Sequence, residues 1–290
     1  MTPRRLLLLA LVVAGATGAL ASCSATGALN ALARSDTYRS TTEVAYGPLM
    51  RHRLDIYTPV SAAPAAGWPM VVFFYGGNWV SGDRAEYKFM GEALASHGVL
   101  TLIADYRLYP EVTYPLFLED CAQAMAYGFE HAKALGGDPK RIFVMGHSAG
   151  GYNAAMLALD PRWLAATGHS PKELDGWIGL AGAYDFFPLE PGQPARPVFH
   201  HPDYPANAQP IDDVTPSSPK AFLAAPVKDK IVSPERSTLS MATRLRAAGV
   251  PVEQHSYDGI SHALLAGVFA RPLRGLAPAL DDVTRWINAN

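Results

Sequence analysis

An α/β fold built on a mostly parallel central sheet is predicted by three features of this 290-residue chain. Met70–Tyr75, Val99–Asp105, Ile142–Met145, Trp177–Ala181 and Ala221–Ala225 are short apolar runs without polar alternation, as expected of strands buried on both faces. Helical stretches separate them, and parallel strands need such crossovers to bring the chain back to the same end of the sheet. The length suits one large domain, and no internal repeat divides it.

The chain opens with Arg4-Arg5, the apolar run Leu6–Val13 and small residues down to Cys23. A basic start, a short apolar middle and a small-residue end describe an export signal, since the run is too short to cross a bilayer and stop there. Leu20-Ala21-Ser22-Cys23 resembles the lipobox of bacterial lipoproteins, which implies removal of residues 1–22 and acylation of Cys23. Ser24 rather than Asp follows that cysteine, which in Gram-negative lipoproteins points to the outer membrane. Ala19-Leu20-Ala21 also fits an ordinary secretory cleavage site, so plain secretion is the alternative. Residues 23–40 then form a small polar tether, and 41–290 the folded domain at the cell envelope, meeting the membrane only through the lipid.

Loss of Arg4 and Arg5 leaves 22 basic against 26 acidic residues, a net charge of −4. That balance offers nothing to nucleic acid or to an anionic membrane surface. Cys121 falls in a helical pattern and reads as a small buried residue. With Cys23 lipidated, no disulfide can form.

Taken in order, Arg51–Tyr57 alternates Leu54 and Ile56 with polar neighbours, as a strand near a sheet edge does. Pro59–Pro69 is a loop. Met70–Tyr75 is a buried strand ending on Gly76-Gly77-Asn78-Trp79; Tyr87–His97 is a helix closed by Gly98. Val99–Asp105 is the next strand, and Phe117–Leu135 a helix closed by Gly136-Gly137. Ile142–Met145 leads to Gly146-His147-Ser148-Ala149-Gly150, then to a helix over Tyr152–Leu159. Trp177–Ala181 and Ala221–Ala225 are strands, and Ser233-Pro234-Glu235 starts a helix that runs to Gly249. Val252–Tyr257 is the last strand and Leu276–Asn288 the closing helix.

One segment breaks the rhythm. Phe186–Pro219 spans 34 residues and holds nine of the chain's 24 prolines, so it can be neither a regular helix nor a central strand. Long loops of this kind carry function or pack as structural excursions. Its place between two strands whose C-terminal ends should flank a serine suggests a lid-like insertion over 186–219. His200-His201 lacks carboxylates at metal-binding spacing, so no metal site is expected.

The chemistry converges on the stretch 146–150. A strand, a sharp turn and a helix with a serine at the apex make the context of a nucleophile elbow, where flanking glycines permit a turn too tight for side chains. A serine hydroxyl needs a base to take its proton and a third group to orient that base. His262, in a loop just after the last strand, is the candidate base; His255 lies inside the strand, and His147 is assigned to packing. For the acid, Asp229 directly follows the strand Ala221–Ala225, with Asp185 as rival and Asp258 too close to His262 in sequence. Oxyanion donors are expected from the backbone of Gly76, Gly77 and Asn78 and from the Ala149 N–H at the helix start. No cofactor is needed for this chemistry.

Tyr75-Gly76-Gly77-Asn78-Trp79, Asp105-Tyr106-Arg107-Leu108-Tyr109-Pro110-Glu111, Gly146-His147-Ser148-Ala149-Gly150 and Gly259-Ile260-Ser261-His262 together resemble the α/β-hydrolase esterases of the hormone-sensitive-lipase and kynurenine-formamidase-like groups. The likeness covers about residues 41–289. It implies a carboxylesterase with a Ser148–Asp229–His262 triad and a structural Tyr-Arg-Leu segment in which Arg107 pairs with Asp120. Two departures stand out: Tyr75 and Asn78 replace the first histidine and the third glycine of the usual His-Gly-Gly-Gly, and Ala225-Pro226 replaces a His-Gly pair before the acid. The expected activity is hydrolysis of short-acyl esters of small-molecule substrates through an acyl-enzyme, with no obligate protein partner. Amide or aryl-formamide hydrolysis by the same triad, or a catalytically silent fold used for binding, are the alternatives.

Overall fold

A computed structural model describes residues 26–289. The expected export signal and Cys23 lie outside the described residues. Eight strands form one sheet: β1 (Tyr38–Ala45), β2 (Arg53–Pro59), β3 (Trp68–Phe74), β4 (Leu100–Ala104), β5 (Gly137–His147), β6 (Gly176–Leu180), β7 (Ala221–Pro226) and β8 (Val252–Tyr257). They are ordered β1-β2-β4-β3-β5-β6-β7-β8. The pairs β1–β2 and β2–β4 are antiparallel and all others parallel. The α/β-hydrolase architecture expected from the sequence is therefore present.

The helices are α1 (Lys88–Ala95), α2 (Leu116–His131), α3 (Ala149–Leu159), α4 (Pro161–Ala165), α5 (Ser240–Ala247), α6 (His262–Gly267) and α7 (Ala279–Ala289). The chain steps one way along the sheet from β3 to β4, then the other way from β4 to β5 and on to β8. Right-handed crossovers therefore place α1 on one face and α2, α3 and α5 on the other. After β8 the chain returns, and α7 packs beside α1. β3, β4, β6 and β7 are buried almost throughout, which explains why their sequences show no alternation.

Two differences from the sequence expectation concern the N-terminal region. β1 pairs with β2 along the sheet edge, so residues 38–40, read as tether, belong to the sheet. Residues 26–31 are helical, and Asn30 there bonds Ala85 O and Phe89 N, which ties this segment to the domain. β1 leaves little trace in the sequence because nearly all of its side chains face solvent.

The insertion 186–219 contains no regular element beyond a 3-10 turn at Pro210–Asp213. It is nonetheless pinned to the body: Tyr152 Oη donates to Ala208 O, Tyr114 N donates to Val198 O and Ile211 N donates to Tyr184 O, while Gln209 Oε1 accepts from Phe186 N and Phe187 N within the insertion. Val198 and Phe199 are wholly buried. Among the described residues no helix is long and apolar enough to cross a membrane.

Candidate active site

Ser148 stands between β5 and α3 with φ 56° and ψ −121°, a conformation L-residues rarely adopt. Its N–H is held by Leu180 O of β6 at 2.9 Å, so the strained turn is locked by the sheet itself. The flanking glycines are steric necessities: a Cβ on Gly146 would lie 2.0 Å from Gly150 O, and one on Gly150 would lie 1.9 Å from Phe74 O.

His262 Nε2 meets Ser148 Oγ at 2.8 Å, and His262 Nδ1 meets Asp229 Oδ2 at 2.6 Å. These three residues come from the ends of β5, β7 and β8, where an open parallel sheet presents loops to a ligand. His262 was expected in a loop; it is the first residue of α6, whose N-cap is Ser261. That helix fixes the direction in which the imidazole leaves the backbone. Burial pushes the Asp229 carboxyl up, but His262 and the N–H groups of Ile231 and Val232 more than offset this and hold it below the ordinary carboxylate range. An ionised acid on Nδ1 keeps the proton there and leaves Nε2 as acceptor for the serine proton.

His147 does more than pack. Its Nε2–H donates to the backbone carbonyl of His262 at 3.0 Å, and the two rings lie 4.9 Å apart. Burial, reinforced by the neighbouring His262, lowers its pKa to about 3. It is therefore a neutral buttress and places no second charge beside an imidazolium.

The loop after β3 lies against the nucleophile, since a Cβ on Gly76 would come within 2.9 Å of Ser148 Cβ. Gly77 (φ 136°), Asn78 (φ 54°) and Trp79 (φ 60°) follow one another with positive φ. Asparagine tolerates this region better than other non-glycine residues, which accounts for Asn78 in place of the third glycine. Gly76, expected with Gly77, Asn78 and Ala149 among the oxyanion donors, is the residue of this loop that comes up against Ser148. The Ala149 N–H is first in α3, where helix geometry provides no intrahelical acceptor.

Tyr75 takes its place in a buried polar network behind the loop. Its hydroxyl donates to Asp105 Oδ1 at 2.7 Å and accepts from Arg51 Nη2 at 2.7 Å. Arg84 bonds Asp105 through both its backbone N–H and its guanidinium, and also reaches Asp55. Arg51 Nη2 also donates to Gly82 O, so both ends of the loop 76–82 are anchored to one charge cluster.

The rival residues are engaged elsewhere. Asp185 accepts from Arg236 at 2.8 Å, His255 Nε2 faces Glu253 Oε1 at 2.7 Å, and Asp258 is exposed. His200 Nε2 donates to Tyr114 O, and His201 contacts Arg196 and Tyr204. Among the described residues no group of three or more His, Cys, Asp or Glu could hold a metal ion. Sequence reading missed Trp79 and Asn153 and underrated His147, because their contacts join distant segments. A groove of about 830 Å³ between α2 and α4, lined by Tyr46, Tyr127 and Trp163, lies apart from the triad.

Two family models match the chain: BD-FAE over residues 54–179 and the prolyl oligopeptidase family over residues 118–287. The isoprenylcysteine alpha-carbonyl methylesterase of Arabidopsis thaliana is 28% identical over 267 residues, covering 85% of this chain and 61% of that protein. Esterase LipC of Mycobacterium tuberculosis is 29% identical over 240 residues, covering 74% of this chain and 59% of that protein. The chain thus spans about 60% of the length of these two relatives. Among solved structures, a truncated carbohydrate esterase from gut microbiota superposes with TM-score 0.75 at 20% identity, covering 88% of this chain and 98% of that one. That likeness shows the fold. With its model spanning more than half of the residues and including both Ser148 and His262, the chain belongs to the prolyl oligopeptidase family, on an α/β-hydrolase fold.

Proposed function

We propose that the protein is a serine carboxylesterase that cleaves short-acyl carboxylic esters through an acyl-enzyme. The observation that carries this reading is the unbroken relay Ser148 Oγ–His262 Nε2–His262 Nδ1–Asp229 Oδ2, with contacts of 2.8 and 2.6 Å. Ser148 Oγ attacks the ester carbonyl while His262 takes its proton, and the developing oxyanion is met by backbone N–H groups of Gly76, Gly77, Asn78 and Ala149. The protonated His262 then gives its proton to the leaving alkoxide. Water, deprotonated by His262 in turn, releases the acid and restores Ser148.

Esterases among the relatives support the ester reading, as do the four motifs shared with the hormone-sensitive-lipase and kynurenine-formamidase-like groups. A short acyl group is supported by the insertion, whose Phe186 and Phe199 pack on Trp79 and Tyr152 beside the loop that follows β3. Amide cleavage is a second reading, favoured by the match to a peptidase family model. The lipobox pattern at Cys23 supports attachment to the cell envelope through an acylated cysteine. Metabolic labelling with an alkynyl fatty acid, lost in Cys23→Ala, tests that part.

The test of the activity is fluorophosphonate labelling of the purified protein followed by mass spectrometry, with turnover of p-nitrophenyl acetate, butyrate and decanoate and of the butyranilide. A single adduct on Ser148 with fastest turnover of acetate or butyrate is expected. An adduct with faster anilide than ester cleavage transfers the assignment to amides. No adduct and no turnover overturn it.

A further inference from the structure

Trp79 carries a bulky side chain at φ 60°, a conformation that persists only where the surroundings over-determine it. The surroundings do so here. Its ring is 3% exposed and lies 4.8 to 6.2 Å, centroid to centroid, from Phe117 of α2, Tyr152 of α3, and Phe186 and Phe199 of the insertion. Its carbonyl accepts from Tyr109 N at 2.8 Å. Its indole Nε1–H donates to Asn153 Oδ1 at 2.9 Å.

Asn153 is wholly buried in α3, the helix that Ser148 starts. Its Nδ2 has no hydrogen-bond partner among the described residues. A buried amide with an unspent donor weakens the fold. The value of Asn153 therefore has to be sought in the bond it does make, which joins the nucleophile helix to the loop that follows β3.

We propose that Asn153 is a positioning residue: acting through the Trp79 indole, it holds the loop Gly76–Trp79 in register with Ser148, so that the Gly77 and Asn78 N–H groups stay aimed at the forming oxyanion. The inference rests on the reading of Ser148 as nucleophile and of this loop as its oxyanion hole. Donors of this kind act in the transition state, so a loosened loop lowers kcat while leaving ground-state binding in place.

The experiment compares wild type, Ser148→Ala, Trp79→Phe, Asn153→Leu and the Trp79→Phe/Asn153→Leu pair. Each is measured for kcat and KM on p-nitrophenyl butyrate, for inhibition by an alkylboronic acid that forms a tetrahedral adduct with the serine, and for thermal melting. Each single change is expected to lower kcat about 10- to 100-fold with KM within about 2-fold, and to weaken the boronic acid by a similar factor. The pair should lose no more than the worse single change, since both remove one bond. Lowered melting temperatures with unchanged kcat and boronic acid inhibition would overturn the proposal and leave Asn153 a packing residue. Trp79→Phe keeps a ring in the aromatic cluster and decides the matter alone if Asn153→Leu does not fold. Full turnover by Ser148→Ala would instead remove the underlying reading, and the proposal with it. Wild-type turnover that depends on Ser148, with Trp79→Phe equal to wild type, removes the Asn153 assignment only.

Discussion

Arg107 clasps Asp120 from the side, its Nε reaching Oδ2 at 2.8 Å and its Nη2 reaching Oδ1 at 2.7 Å, while its backbone N–H donates to Oδ2 at 2.9 Å. The carboxylate is wholly buried in the first turns of α2, and His52 Nε2 approaches its Oδ1 at 3.0 Å from the loop before β2. One acid thus ties β2, the segment after β4 and α2 into a single unit behind the catalytic edge.

Removing the guanidinium should therefore leave a buried carboxylate short of its main partner. Loss of one member of a buried pair costs about 3 kcal/mol or more. For a domain of this size that corresponds to a fall in melting temperature of roughly 6–12 °C. Differential scanning calorimetry of Arg107→Ala checks it, and an unchanged melt would show that His52 and the backbone N–H hold Asp120 unaided.

The two candidate acids separate cleanly by their partners. Asp229 meets the His262 ring, whereas Asp185 meets Arg236 beside the insertion. Asp229→Asn should cut kcat by about 10⁴, because the amide no longer fixes the imidazole tautomer. Asp185→Asn breaks a partly exposed pair worth less than about 1 kcal/mol and should leave kcat within a few-fold. Steady-state kinetics on one activated ester tests both, and the reverse order would assign the acid to Asp185.

His147 gives the protein a pH-dependent stability with a definite sign. Burial, with the nearby His262, lowers its folded-state pKa to about 3, against about 6.5 in an unfolded chain. Its contribution is complete above the unfolded value and is lost as pH falls from there toward the folded value, because the unfolded chain takes up the proton first. The slope is about 1.4 kcal/mol per pH unit within that window. Asp229, whose carboxyl is also depressed, acts in the same direction but only at lower pH, below the ordinary carboxylate value. Urea unfolding of wild type and His147→Gln between pH 7 and 4.5 should show a shallower slope in the variant by nearly one proton. Equal slopes would mean that His147 is solvated and titrates normally in the folded protein.

The succession of strands along the chain, and the strand ends at which Ser148, Asp229 and His262 meet, were largely legible because they are written in local patterns. Ile142–Met145 before the glycines of the elbow, and Asp229 and His262 directly after their strands, need only strand length and apolarity to be placed. Even the pairing of Arg107 with Asp120 followed from the motif. What stayed hidden depends on tertiary contact: the exposed edge strand Tyr38–Ala45, whose polar sequence has little apolar pattern to betray it, and the hydrogen bond of His147 to the His262 carbonyl across 115 residues. The insertion was legible only as a break in the pattern, because proline marks what a segment cannot be and not what its phenylalanines pack against.

The elbow also sets the closest approach between α3 and β3, and this can be measured. A methyl group on Gly150 would lie 1.9 Å from Phe74 O, 2.4 Å from Phe74 C and 2.6 Å from Tyr75 O. All three are backbone atoms of the central sheet or its end, so no rotamer change relieves the overlap. Either α3 withdraws from β3, taking Ser148 out of line with His262, or the domain does not form. Gly150→Ala should thus lose more than about 4 kcal/mol of stability or fail to accumulate in soluble form. Gly275→Ala is the matched control, because a Cβ there meets nothing within 4 Å and its φ is not among the positive ones. That change should fall within about 0.5 kcal/mol of wild type. Soluble yield and urea unfolding of the two variants test the contrast, and a stable, active Gly150→Ala would show that helix and strand can part at this point without disturbing the serine.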